Sequence, residues 1–157
     1  MPSAGDTAPD FTATAVAGDV EEFTLSERLD EAPIVLAFFP SAFTPICNHQ
    51  MDAFQLGLDT FRDAGATIYG VSVDSPFALN AYRDEYGLGF DLVSDMRRSA
   101  VEGYGLLTDA PDYDLYSVAN RAVFVIDGDG EIVYAWTADV PENEPDYEEL
   151  LAAIEAV

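Results

Sequence analysis

The longest apolar run in the chain, Ile34 to Phe39, is continuous rather than alternating. Continuity over a strand's length predicts a strand buried on both faces, as in a parallel sheet, and it is far too short to span a membrane. After it, Thr44 is placed to cap a helix whose first turn holds Pro45. Met51, Phe54, Leu58 and Phe61 then fall near helical spacing on one face, with Asp52, Gln55, Asp59 and Arg62 elsewhere, and Gly65 closes the unit. A second apolar strand runs from Thr67 to Val73. Asp74-Ser75-Pro76 opens a helix to about Tyr86, 91–94 is a short extended piece, and a further helix is expected over 96–104. Arg121 to Asp127 reads as a strand, Gly128-Asp129-Gly130 as a turn, and Glu131 to Trp136 as the hairpin partner. Pro145 opens a last helix with Tyr147, Leu150, Leu151 and Ile154 on its apolar face. Before all this, segments 11–16 and 22–25 are expected to pair around Gly18-Asp19. No repeat or linker interrupts the pattern, so residues 1–157 read as one α/β domain.

Charge changes the picture of the surface. Thirty acidic residues against six basic ones leave a net charge of -24, and the six bases are all arginine, at 28, 62, 83, 97, 98 and 121. In dilute buffer such a charge pushes the fold apart, whereas at ~1 M salt the Debye length is only about 3 Å and the repulsion is screened. An acid-rich, lysine-free chain resembles the proteins of halophiles, with an ordinary acidic cytosolic protein as the alternative. Nucleic-acid and anionic-membrane partners are disfavoured, because both require basic patches. The N-terminus has neither a basic region nor an apolar core, so no secretory signal is expected and the compartment reads as cytoplasmic.

The single cysteine, Cys47, excludes an intramolecular disulfide and a cysteine-based zinc site. Its place is informative. It follows the buried strand by a short loop and falls in the first turn of a helix, where free N–H groups and about half a positive charge favour an anion. A thiolate is the reactive form. The helix end alone is too weak: bringing a thiol from about 8.5 to about 6.5 takes roughly 2.7 kcal/mol, and a helix end gives about 0.3–1 kcal/mol. A local cation is needed. Arg28, Arg62, Arg83, Arg97 and Arg98 lie in charge-rich helical surroundings and read as solvated surface. Arg121 immediately precedes Ala-Val-Phe-Val-Ile. If that strand lies antiparallel to 34–39, its start comes beside the loop that carries Cys47. The alternative is a strand-end arginine facing solvent.

Pro40-Ser-Ala-Phe-Thr44-Pro-Ile-Cys47 resembles the peroxiredoxin pattern of proline, three residues, threonine, two residues and cysteine. Arg121 with the following Phe-Val-Ile-Asp, Ala8-Pro9-Asp10-Phe11 and Val71-Ser72-Val73-Asp74 are similar to other landmarks of that family, so the resemblance spans residues 8 to 136. Among subgroups the chain looks most like the one-cysteine, AhpE-like or bacterioferritin-comigratory-like peroxiredoxins. The resemblance implies a thioredoxin-like fold of peroxiredoxin type: a central mixed sheet flanked by helices, with an N-terminal β-hairpin extension. It implies reduction of hydrogen peroxide and organic hydroperoxides through a Cys47 sulfenic acid, with no metal or organic cofactor. Thr44 would orient the peroxide, Arg121 would stabilise the thiolate and the departing oxygen, and Pro40 would shield the site. Gln50 stands where relatives often carry glutamate and would hydrogen-bond Arg121. Asp52 stands where some relatives place a second, resolving cysteine. Reduction therefore falls to an external thiol or a thioredoxin- or glutaredoxin-like protein, and a homodimer is expected.

Two other functions use the same cysteine. A peroxide sensor would pass its oxidation to a partner protein. A thiol–disulfide oxidoreductase is weakened because the usual Cys-x-x-Cys is here Thr44-Pro-Ile-Cys47. His49, two residues along the helix, is expected to face away from Cys47. Asp127-Gly-Asp-Gly-Glu131 lacks the full calcium-loop pattern and reads as a turn. Trp136 and the aromatic-rich 38–43 segment read as core or dimer interface, and 111–116 as a candidate loop near the site whose place the sequence does not fix.

Overall fold

The computed structural model describes residues 1–140 and 142–157. Nine strands and five α-helices alternate along the described residues: β1 (Thr12–Ala17), β2 (Asp19–Thr24), β3 (Ile34–Phe38), α1 (Pro45–Leu56), α2 (Leu58–Asp63), β4 (Thr67–Ser72), α3 (Pro76–Tyr86), β5 (Asp91–Ser94), α4 (Ser99–Gly103), β6 (Leu107–Ala110), β7 (Leu115–Ala119), β8 (Ala122–Ile126), β9 (Ile132–Thr137) and α5 (Tyr147–Glu155). Seven strands form one mixed sheet in the order β2-β1-β5-β4-β3-β8-β9, and β6 and β7 form a separate ribbon. β3 runs parallel to β4 and antiparallel to β8. This is the expected thioredoxin-like arrangement, with a central mixed sheet flanked by helices.

All five residues of β3 are buried, and the sheet has a core on each face. Val35 and Ala37 pack with Met51, Phe54 and Leu79 on one face, whereas Ile34, Leu36 and Phe38 pack with Tyr104 and Phe124 on the other. Two covered faces leave no polar positions in the strand, which is why the sequence pattern is unbroken there. The N-terminal hairpin is more than an appendage. β1 also pairs antiparallel with β5, Val16 opposite Leu92, and so extends the main sheet.

Several boundaries differ from the sequence expectation. The helix expected to run unbroken to Gly65 is two helices. Gly57 leaves helical geometry at φ -91 and ψ 3, and a side chain there would press on the Phe61 ring at 3.0 Å. The apolar face survives the break, because Met51, Phe54, Leu58 and Phe61 are all buried. The helix expected over 96–104 is confined to α4. Arg98 stands just before it with φ 62, and the Asp95 carboxylate accepts the Val101 N–H at 2.8 Å across the helix start. The last helix begins after Asp146 rather than at Pro145, because the Asp146 carboxylate accepts the Glu148 and Glu149 N–H groups.

The arginines expected on solvated surface are mostly tied down. Arg28 binds Glu21, Glu31 and the Tyr69 hydroxyl and lies 4.9 Å from the centre of the Phe23 ring. Arg62 donates to the Gly89 carbonyl, Arg83 to that of Phe90 and Arg98 to that of Ser117. Their planar, many-donor groups serve loop carbonyls that the strands and helices leave over. Arg62 and Arg97 are exposed, whereas Arg28, Arg83 and Arg98 are half-buried. Among the described residues, no helix is long and apolar enough to cross a membrane.

Candidate active site

β3 delivers the chain to the site. After Phe38 and Phe39 the backbone turns at Pro40 and passes through Phe43, whose φ of 68 is left-handed. This loop is held from the side by Asp74, at the end of β4. The Asp74 carboxylate accepts the Ala42 N–H at 2.9 Å and the Ser72 hydroxyl at 2.7 Å. Thr44 then takes the capping position of α1 with extended geometry, and Pro45 fills the first helical place. The Thr44 hydroxyl does not cap the helix as expected. It donates instead to the Ser41 carbonyl at 2.8 Å, which ties the loop together and leaves the oxygen's lone pairs able to accept.

Cys47 is the third residue of α1 and is buried, at 1% exposure. Asn48 makes the helix's first N–H bond back to Thr44. The N–H groups of Ile46 and Cys47 precede it and have no carbonyl within the helix, and Pro45 has no N–H at all. The anion-favouring end of α1 therefore meets the sulfur directly.

The cation comes from the opposite strand. In the antiparallel register of β3 and β8, Phe38 lies opposite Ala122, so Arg121 stands at the mouth of the loop leading to Cys47. Arg121 is itself buried, at 2% exposure. Its Nη2 donates to the Cys47 Sγ at 3.3 Å, and its Nη1 donates to the Gln50 Oε1. Its backbone is pinned as well: the Arg121 N–H donates to the Asn120 side-chain oxygen, and the Arg121 carbonyl accepts the Ala138 N–H. Gln50, one helical turn after Cys47 and fully buried, thus holds the guanidinium beside the sulfur.

Cys47, Thr44, Arg121 and Pro40 line one pocket of about 160 Å³ together with Pro45, Ile46, Ala110, Tyr113 and Leu115. All five residues singled out from the sequence therefore meet, four on the pocket wall and Gln50 behind it. Ala110, Tyr113 and Leu115 were not among them. They arrive from the β6–β7 ribbon, and the only signal was the unplaced 111–116 segment. Tyr82 was also missed. Its buried hydroxyl has no hydrogen-bond partner among the described residues, and burial, with the Cys47 sulfur next in importance, pushes its pKa up.

His49 points away from the sulfur, as expected from its helical position. Its exposed ring lies 2.7 Å from a Glu144 carboxylate oxygen. That hydrogen bond and charge hold the imidazole pKa above its ordinary 6.5. The Asp127–Glu131 segment is the β8–β9 turn, with the Asp127 carboxylate accepting the Asp129 and Glu131 N–H groups.

A lone thiol at the start of a helix, backed by a buried guanidinium from the adjacent strand of a thioredoxin-like sheet, defines a thiol-dependent oxidoreductase. Comparison with known proteins narrows the class. Residues 4–135 match the model of the AhpC/TSA family. The chain is 39% identical over 146 residues to peroxiredoxin-2 of Cricetulus griseus, covering 87% of this chain and 70% of that one. It is 38% identical over 141 residues to a chloroplastic 2-cysteine peroxiredoxin of Chattonella marina var. antiqua, covering 83% of this chain and 68% of the relative. The reduced 2-Cys peroxiredoxin of Plasmodium vivax superposes with a TM-score of 0.85 at 28% identity, covering 99% of this chain and 96% of that one. The chain belongs to the AhpC/TSA family of peroxiredoxins, thiol peroxidases that reduce peroxides. Its single cysteine is compatible with a one-cysteine mechanism and sets it apart from relatives named for two.

Proposed function

We propose that Cys47 is the peroxide-reducing cysteine and that Thr44, Arg121 and Pro40 complete the catalytic site. The observation that carries this reading is the 3.3 Å approach of Arg121 to the Cys47 sulfur inside a pocket open to a small substrate. The Cys47 thiolate attacks the nearer peroxide oxygen, the O–O bond breaks, and the departing oxygen leaves with the bonding pair and takes a proton to become water or an alcohol. Sulfur is oxidised by two electrons to sulfenic acid and the peroxide is reduced by two. The negative charge passes from sulfur to the departing oxygen during this displacement. Arg121 and the free N–H groups of the first helical turn stabilise both ends of that shift. The Thr44 oxygen accepts a hydrogen bond from the peroxide O–H and fixes its direction, Pro40 keeps bulk water from the sulfur, and Gln50 positions Arg121.

With no second cysteine, one external thiol condenses with the sulfenic acid to a mixed disulfide and water, and a second thiol restores Cys47. A small thiol or a thioredoxin- or glutaredoxin-like protein fills this role. The enzyme works as a homodimer and one domain in the cytoplasm, and its -24 charge suits a salt-rich interior. Mass spectrometry of pre-reduced protein after one equivalent of peroxide tests the reading. Sulfenic acid on Cys47, or a Cys47-bridged dimer, is expected. An unmodified Cys47 beside unconsumed peroxide overturns it. Dialysis into dilute buffer tests the salt requirement, which unimpaired folding would remove.

A further inference from the structure

Cys47 and Arg121 belong to different elements, α1 and the residue before β8, so their 3.3 Å approach depends on what ties those elements together. Gln50 makes one tie from inside. A second lies on the surface. The chain leaves β9 beside Arg121, where the Ala138 N–H donates to the Arg121 carbonyl at 2.9 Å and the Ala138 carbonyl accepts the Asn120 side-chain N–H at 3.0 Å. Before entering α5 it returns to the helix that carries the sulfur. Both Glu144 carboxylate oxygens meet the His49 Nδ1, at 2.7 and 2.8 Å, two residues after Cys47. Tyr147 supports this contact from the start of α5. Its hydroxyl donates to Glu144 at 3.3 Å, and its ring packs edge-on against Phe54 of α1, with centroids 5.4 Å apart. The charged groups that face the imidazole are thus Glu144 and, from α1 itself, Asp52.

We propose that Glu144, through His49, is a positioning residue for peroxide reduction: the pair holds the start of α1 towards the strand that carries Arg121 and keeps the sulfur within reach of the guanidinium. The inference rests on Cys47 being the peroxide-reducing thiol, and neither His49 nor Glu144 touches the substrate. The His49 side chain is 70% exposed and that of Glu144 25%, so the tie has the strength of a surface ion pair, worth about two- to fivefold in rate. It is fully present while His49 is protonated and weakens as pH rises through the imidazole's raised midpoint. Charge alone predicts the opposite sign. Glu144 is an anion close to the helix of the sulfur, and its removal would by itself favour the thiolate and speed the reaction. Loss of positioning slows it.

The test measures the rate constant of pre-reduced protein with hydrogen peroxide by stopped flow across the His49 titration, which NMR follows in the same buffers. Wild type, Glu144→Gln, His49→Gln and the double variant are compared. Below the His49 midpoint each single variant is expected to react about two- to fivefold more slowly than wild type, and the double variant no more slowly than either. Above the midpoint all three should converge on wild type, because the tie is relaxed there in every protein. A Glu144→Gln rate equal to or above that of wild type below the midpoint overturns the inference, as do losses that multiply in the double variant or stay constant across the pH range. Each of these results leaves Cys47 as the reactive thiol. Absence of reaction in the wild type instead overturns the assignment of Cys47.

Discussion

Arg28 and Arg121 are the same residue type in one strongly acidic molecule, and they do different work. Arg28 sits at the β2 end of the sheet, paired with the carboxylates of Glu21 and Glu31 and packed on Phe23 and Tyr69. Its charge is met in the resting fold, and its side chain remains partly exposed, so the pairs are weak and screened by salt. Arg121 is buried and grips an amide oxygen with one nitrogen and the Cys47 sulfur with the other. The charge that it is positioned to meet forms at the sulfur and moves to the departing oxygen during reaction. A guanidinium matched in the ground state stabilises the fold. One aimed at developing charge lowers a barrier, because only interactions that strengthen in the transition state accelerate the chemistry.

Substitutions can break that contrast in order of effect. Arg121→Met is expected to slow single-turnover peroxide reduction by about 10²–10³-fold, the usual consequence of removing one preorganised donor, measured by stopped flow at neutral pH. Loss of less than about threefold would place Arg121 among the structural arginines. Gln50→Leu leaves Nη1 of a buried guanidinium without this acceptor. It should lower the rate by about 10–100-fold through misplacement and reduce stability by about 1–3 kcal/mol, read from kinetics and denaturant unfolding. An unchanged rate with lowered stability would mean that Gln50 only fills space. Arg28→Met should cost about 1 kcal/mol of stability at low salt, less at high salt, with peroxide reduction unchanged. A fall in its rate would contradict the division of labour.

The smallest effect concerns His49 and Glu144. The raised imidazole pKa means that the pair's contribution is fully present below the ordinary value of 6.5 and fades as pH rises through the raised value. His49 is the only histidine, so its NMR titration is unambiguous. A midpoint above that of the unfolded chain, returning towards it in Glu144→Gln, is expected. A midpoint at or below the unfolded value would deny the ion pair.

How much of this could be read from the chain depends on the range of the interaction. Pro40, Thr44 and Cys47 are close in sequence, and a buried strand followed by a proline-led helix fixes their order in space. Arg121 needed one long-range step, the antiparallel pairing of β8 with β3, and the unbroken apolar pattern of both strands made that step legible. The β6–β7 side of the pocket was not legible. Leu107 to Ala119 alternates poorly, half of it is exposed, and its ribbon depends on Asp114 and Ser117 taking positive φ, which neither pattern nor propensity signals. Asp74 was read as the end of a family landmark and the opening of α3, where Ser75 in fact caps the helix. Its grip on the Ala42 N–H spans the fold and leaves no local trace. Arg83 and Arg98 read as solvated surface because their backbone carbonyl partners carry no charge and cannot be seen in a composition.

The most direct test of the whole account is the bimolecular rate of pre-reduced Cys47 with peroxide at neutral pH, followed by stopped flow beside free cysteine under the same conditions. A thiol held at a helix start with a guanidinium against it should consume one equivalent far faster than free cysteine, then stall until a thiol reductant is added. A rate no greater than that of free cysteine would contradict the claim that the pairing of Cys47 with Arg121 makes a peroxidase.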